Sequence, residues 1–118
     1  MPVNYERKRR KADRMIRRWG GVARLRRKVG ATLVYRDCVA VVISYTPQEH
    51  HNRLLEVTDM RCLISALAPD GTVLDDPVKD KDVLVTANGK VWSFVQAPTM
   101  TEPDMLTNVF WDVPVRAA

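Results

Sequence analysis

Among the arginines and lysines near the start of the chain, apolar residues return at Ala12, Met15, Ile16 and Trp19. This three- and four-residue spacing predicts a helix over residues 4–19 with a narrow apolar stripe. Gly20-Gly21 predicts its end, because glycine accepts the left-handed backbone that helix C-termini often use. The following Val22-Ala23-Arg24-Leu25-Arg26-Arg27 alternates poorly; it fits strand or helix, and we read it as strand. From Thr32 onward short runs of Val, Ile, Thr and aromatics are separated by Pro, Asp, Asn and Gly, a β texture. The predicted strands are 32–36, 38–45, 54–58, 61–66, 82–86, 90–96 and 108–115. Asn88-Gly89 predicts a tight type I′ hairpin turn between two of them. Beyond it Trp92 and Phe94 share one face, and both faces of that strand read as covered.

The expectation is a mainly β fold, a small β-barrel or sandwich of about seven short strands with an N-terminal basic α-helix and long loops. Residues 1–21 form the basic helical arm and residues 22–118 the barrel-like domain. Residues 46–53, 68–81 and 97–107 read as loops, from their polar, Pro- and Gly-marked composition.

At 118 residues, 46% of them hydrophobic, the chain has the length of one domain and excludes large multi-domain enzymes. The longest apolar run, from Cys38 to Ile43, is too short to span a membrane. The basic start lacks the apolar stretch of a secretory signal, so synthesis in a cytoplasm is expected. The net charge of +5 hides an asymmetry. Residues 1–30 hold twelve Lys and Arg against Glu6 and Asp13, a segment charge of +10, and the remaining residues carry −5. Such an arm binds nucleic acid, an anionic membrane or an acidic protein surface, and charge alone does not choose.

Cys38 and Cys62 are too few for a disulfide framework and read as buried small hydrophobes. Glu49-His50-His51 has no third ligand at metal-site spacing and reads as a solvated loop. The aspartates 70, 75, 76, 80 and 82 lack the calcium-loop pattern and read as turn formers that keep an edge soluble. Asn88-Gly89-Lys90 lacks the phosphate-loop signature, and no nucleophile stands beside a histidine in a recognisable motif. No catalytic, metal or cofactor residue emerges, and a non-enzymatic protein without cofactor is expected. The remaining candidate is the arm itself: Arg7, Lys8, Arg9, Arg10, Lys11, Arg14, Arg17 and Arg18. Its arginines favour forked contacts to phosphate or carboxylate. Salt bridges to neighbouring proteins and contact with a phosphate backbone both remain open at this point.

The order of motifs resembles a known family. Met15-Ile16-Arg17-Arg18-Trp19-Gly20 followed by Val22-Ala23-Arg24-Leu25-Arg26-Arg27 is similar to the opening of small head–tail connector proteins of tailed bacteriophages, the neck or stopper subunits. Residues 38–45 and 57–66 resemble that family's central strands. Asp82-Val83-Leu84 with Gly89-Lys90-Val91-Trp92-Ser93-Phe94-Val95 resembles its hairpin, and residues 110–117 its closing strand. Met60, Pro114 and the basic extension 1–14 depart from the pattern.

The resemblance implies a small β-barrel subunit in a homo-oligomeric ring, commonly of six. The ring would lie in the virion neck between a portal-side adaptor and the tail or tail terminator, closing the channel over packaged DNA and docking the tail. It implies no catalytic residue and no membrane. Within that frame the polar loop Gln48, Glu49, His50, His51 and Asn52 is the candidate channel-facing or gating loop, and the basic arm the candidate for electrostatic docking or DNA contact. Two rival expectations are a nucleic-acid-binding module working through the arm and a tail-terminator-type ring subunit.

Overall fold

A computed structural model describes residues 5–44, 59–74, 77, 81–100 and 110–117. The elements are α1 (Tyr5–Trp19), β1 (Gly21–Val29), β2 (Thr32–Ser44), β3 (Met60–Ser65), β4 (Asp82–Val85), β5 (Val91–Phe94), β6 (Thr99–Met100) and β7 (Phe110–Ala117). All neighbouring strands are antiparallel, in the order β3-β2-β1-β4-β5-β7, and β7 pairs back onto β3. Six strands therefore close into a barrel, which settles the choice between barrel and sandwich and removes most free strand edges.

Period-two alternation fills the interior. Leu25, Cys38, Cys62, Ile64, Leu84, Trp92, Phe94, Trp111, Val113 and Val115 are buried in one cluster. Both thiols are free core groups, as expected from sequence, and burial raises them: Cys38 to about 12 and Cys62 well above its ordinary value. Trp92 and Phe94 point inward together, and Val91 and Ser93 opposite them are half-buried rather than covered.

Several local expectations are corrected. The strands expected over 32–36 and 38–45 are one continuous strand, β2. Asp37 does not break it, because it stands on the exposed outer side opposite Arg24, where a carboxylate keeps its water. The β1–β2 hairpin closes through Gly30-Ala31, with Gly30 at φ 62°, a turn the sequence reading did not single out. Between β4 and β5 the turn is not two-residue type I′. Thr86 N–H donates to the Lys90 carbonyl and Gly89 N–H to the Thr86 carbonyl, 2.9 Å each, leaving Ala87, Asn88 and Gly89 as a three-residue loop with Gly89 at φ 85°. Asn88 braces it by accepting from the Thr86 hydroxyl and the Lys90 N–H.

Gly20 does end α1, with its N–H on the Ile16 carbonyl, but not for a left-handed backbone. The chain there presses against β2, so that a Cβ on Gly20 would collide with the Ala40 carbonyl oxygen. The expected loop over 97–107 contains β6, which pairs Thr99 with Asp112 and Met100 with Trp111. Relative to Phe94 opposite Val115, the register has slipped by two residues, so the segment around Pro98 bulges before rejoining β7. The expected strand 54–58 and the loop 46–53 lie outside the described residues.

Candidate interaction surfaces

Helix α1 lies across the outer side of β2 and β3, and one turn anchors it. Ala12 and Ile16 are buried, and so is Asp13. Ser65 Oγ donates to Asp13 Oδ1 at 2.6 Å, and Arg17 Nε donates to Asp13 Oδ2 at 2.8 Å. The Arg17 guanidinium also reaches the carbonyls of Ala68 and Pro69, at 3.1 and 3.3 Å. Asp13, one of two acidic residues in a run of cations, is thus the polar pin of the helix. Arg17, read from sequence as part of an exposed arm, is a clamp.

The apolar stripe is split. Ala12 and Ile16 face the barrel, whereas Met15 is 52% and Trp19 71% exposed. Between helix and sheet, Met15, Ile16, Trp19, Val41, Ile43 and Leu63 line an apolar cleft of about 210 Å³. Arg18 lies over the Trp19 ring, 5.6 Å from its centre. Lys11 and Arg14 are exposed on the same helix, with Arg7, Lys8 and Arg10; Arg9 is half-buried. The arm residues therefore share one helix, which presents an exposed indole beside cations. The candidate loop residues Gln48, Glu49, His50, His51 and Asn52 lie outside the described residues.

Elsewhere, arginines and aspartates are matched within the fold. Arg27 and Arg36 both bind Asp82, at 2.7 and 3.1 Å, on the inward-facing side of their strands, where the Asp82 side chain is fully buried. Asp82 is therefore a structural ion-pair centre and not the turn former expected from the acidic cluster. Asp70 does form its turn, accepting from the Thr72 N–H and hydroxyl, and these bonds lower its pKa. Aspartates 75, 76 and 80 lie outside the described residues. On the outer side of β3 and β7, Arg61 grips Asp112 and Arg116 grips Asp59, 2.7 Å each.

Sequence reasoning missed a second basic surface. On β1 the residues facing away from the core are Arg24, Arg26 and Lys28, alternating with inward Leu25 and Arg27. The register sets Lys28 beside Lys81, whose carbonyl accepts the Lys28 N–H at 3.3 Å, and Arg26 opposite Val83. Tyr35 of β2 flanks the row, with the Arg24 guanidinium over its ring at 5.7 Å. Arg26, Lys28 and Lys81 border an open cleft of about 350 Å³. Among the described residues none of Arg24, Arg26, Lys28 and Lys81 has a carboxylate within ion-pair distance; Asp37 stands opposite Arg24, and Asp82, bound to Arg27 and Arg36, lines the same cleft as Arg26, Lys28 and Lys81. The signal was present as the alternation Arg24-x-Arg26-x-Lys28, once 22–27 is known to be strand.

Among the described residues no group of three His, Cys, Asp or Glu is placed to hold a metal, and no helix is long and apolar enough to cross a membrane. In three comparisons with known proteins, by family model, by curated sequence and by solved structure, nothing matches the chain.

Proposed function

We propose that the chain is a structural subunit of a tailed-phage neck, a head–tail connector of the stopper or head-closure type. It would form a closed homo-oligomeric ring in the virion, meeting a portal-side adaptor on one side and the tail or tail terminator on the other. Its work there is mechanical and not catalytic: sealing the DNA channel after packaging and offering the tail a docking surface.

The observation that carries this reading is the helix α1 face. An exposed Trp19 and Met15 over an apolar cleft, flanked by arginines, have the composition of a protein interface core, where Trp, Met and Arg are enriched. Such a surface on one side of a rigid barrel, with different surfaces elsewhere, suits the unlike-to-unlike contacts from which closed rings are built. The segments carrying the family resemblance also support it, since they fall on the end of α1 and on β1, β2, β3, the β4–β5 hairpin and β7. A tail-terminator-type ring subunit is the neighbouring alternative, built on the same surfaces.

The test is to remove the gene from a phage that encodes the chain and image the products. The expected result is heads that have lost their DNA beside complete, unattached tails. Normal tailed particles would contradict the reading, and heads joined to tails of uncontrolled length would move it to the terminator.

A further inference from the structure

The outer face of β1 and its neighbours is a second surface with a different chemistry from that of α1. Arg24, Arg26 and Lys28 stand in line on one strand, at about 6.7 Å per step, since residues two apart on a strand share a face. Lys81 extends the row sideways on the adjoining strand pair. The backbone beneath is held on both sides, by β2 and by β4, so the charges are fixed in a regular array. Among the described residues, helix α1 packs on β1, β2, β3 and β7 and not on β4 or β5.

We infer that this strip, Arg24, Arg26, Lys28 and Lys81, is a binding surface for the phosphate backbone of duplex DNA. The partner follows from the chemistry. Protein–protein interface cores are depleted of charge, whereas protein–DNA interfaces are polar and strongly positive. Here three cations stand in line along β1 with Lys81 beside them, flanked by Leu33, Tyr35 and Asp37 on β2 and by the half-buried Val83 and Val85 on β4. The other arginines whose ion pairs are described above are matched to aspartates; these cations have no such pair among the described residues, so a polyanion would neutralise them without breaking any pair described here. The row is about 13 Å long, and its three cations with Lys81 beside them can meet at most four phosphates. No side chain on the strip is arranged to read bases, so binding is independent of sequence.

The inference goes beyond the neck reading and does not depend on it. It assigns DNA contact to β1 and β4 rather than to the helical arm. Binding of the full chain to a duplex of arbitrary sequence, followed by fluorescence anisotropy across a salt series, tests it. With four phosphate contacts the slope of log affinity against log salt is about −3.6, a loss of roughly a hundredfold between 50 and 200 mM salt. Combining Arg24→Gln, Arg26→Gln and Lys28→Gln should reduce the slope to about −1 and abolish measurable binding at 200 mM. The matching helix variant, Lys11→Gln with Arg14→Gln and Arg18→Gln, should keep most of the affinity. Circular dichroism and thermal melts confirm that each variant is folded.

No binding by the wild type at 50 mM salt overturns the inference, as does a strip variant that binds like wild type or a helix variant that alone abolishes binding. Mass photometry of the same samples separates the two proposals. A chain that binds DNA through the strip but never forms a ring contradicts the neck reading and supports this one.

Discussion

The two basic surfaces of this molecule are built from the same residue types and differ in what surrounds them. On α1, cations flank an exposed indole and an apolar cleft, and the helix is pinned by a buried aspartate. On β1, cations alternate with core residues and form a row with little apolar surface between them. A segment charge of +10 therefore describes neither. It sums Arg17 and Arg27, which are locked to Asp13 and Asp82, with residues on two different faces. The lesson is that secondary structure sorts charge: a helix spreads it around a cylinder, a strand sends every second residue to one side.

That contrast between matched and unmatched charge can be broken most forcefully at Asp82. Asp82→Ala removes the buried carboxylate that both Arg27 and Arg36 bind and should cost about 3–5 kcal/mol in urea unfolding. Arg26→Gln, one strand position from Arg27, should change stability by no more than about 0.5 kcal/mol. Equal effects at the two sites would erase the distinction.

Alkaline pH should act on the core beneath both surfaces. The Cys38 thiol holds its proton up to about 12 when folded and loses it near 9 when unfolded. The folded state then binds more protons across that window, so stability should fall as pH rises from about 9 to 12, by an amount on the order of 4 kcal/mol for this group. Cys38→Ala should remove its share of the fall and leave that of Cys62, as read from unfolding midpoints across the pH series. At pH 8 neither thiol should react with an alkylating reagent until the barrel opens.

At the seam between α1 and the barrel, Gly20→Ala forces a methyl group against the Ala40 carbonyl and should destabilise by about 1–3 kcal/mol. Ser65→Ala removes the donor to buried Asp13 and should cost about 1–2 kcal/mol, with faster hydrogen exchange in α1 than in β1. If exchange instead rose uniformly, the helix and barrel would be one cooperative unit with no separable arm.

Much of the fold was legible. Period-two runs located the strands, and the three- and four-residue spacing located α1, because each pattern reflects which side meets the core. What the sequence left hidden depended on pairing. Asp37 looked like a break because its outward position is known only from the register opposite Arg24. Two residues of β6 carry no periodicity, and their pairing follows from a bulge. Trp19 belongs to the apolar stripe on helical spacing, yet the fold buries only Ala12 and Ile16 of that stripe and leaves Trp19 exposed. The arm was visible as composition. The β1 strip was not, since it exists only once Arg24, Arg26 and Lys28 are on one side and Lys81 is brought up beside them.

The central claim, that the α1 face builds a ring, is tested most directly by mass photometry of the full chain at low salt. A closed ring of six 13.5-kDa chains has a mass of about 80 kDa. The account expects a discrete species near that mass, its loss on combining Trp19→Ala with Met15→Ala, and a monomer melt unchanged by those substitutions. A wild type that stays monomeric at every concentration, or a double variant that still forms the ring, would contradict it.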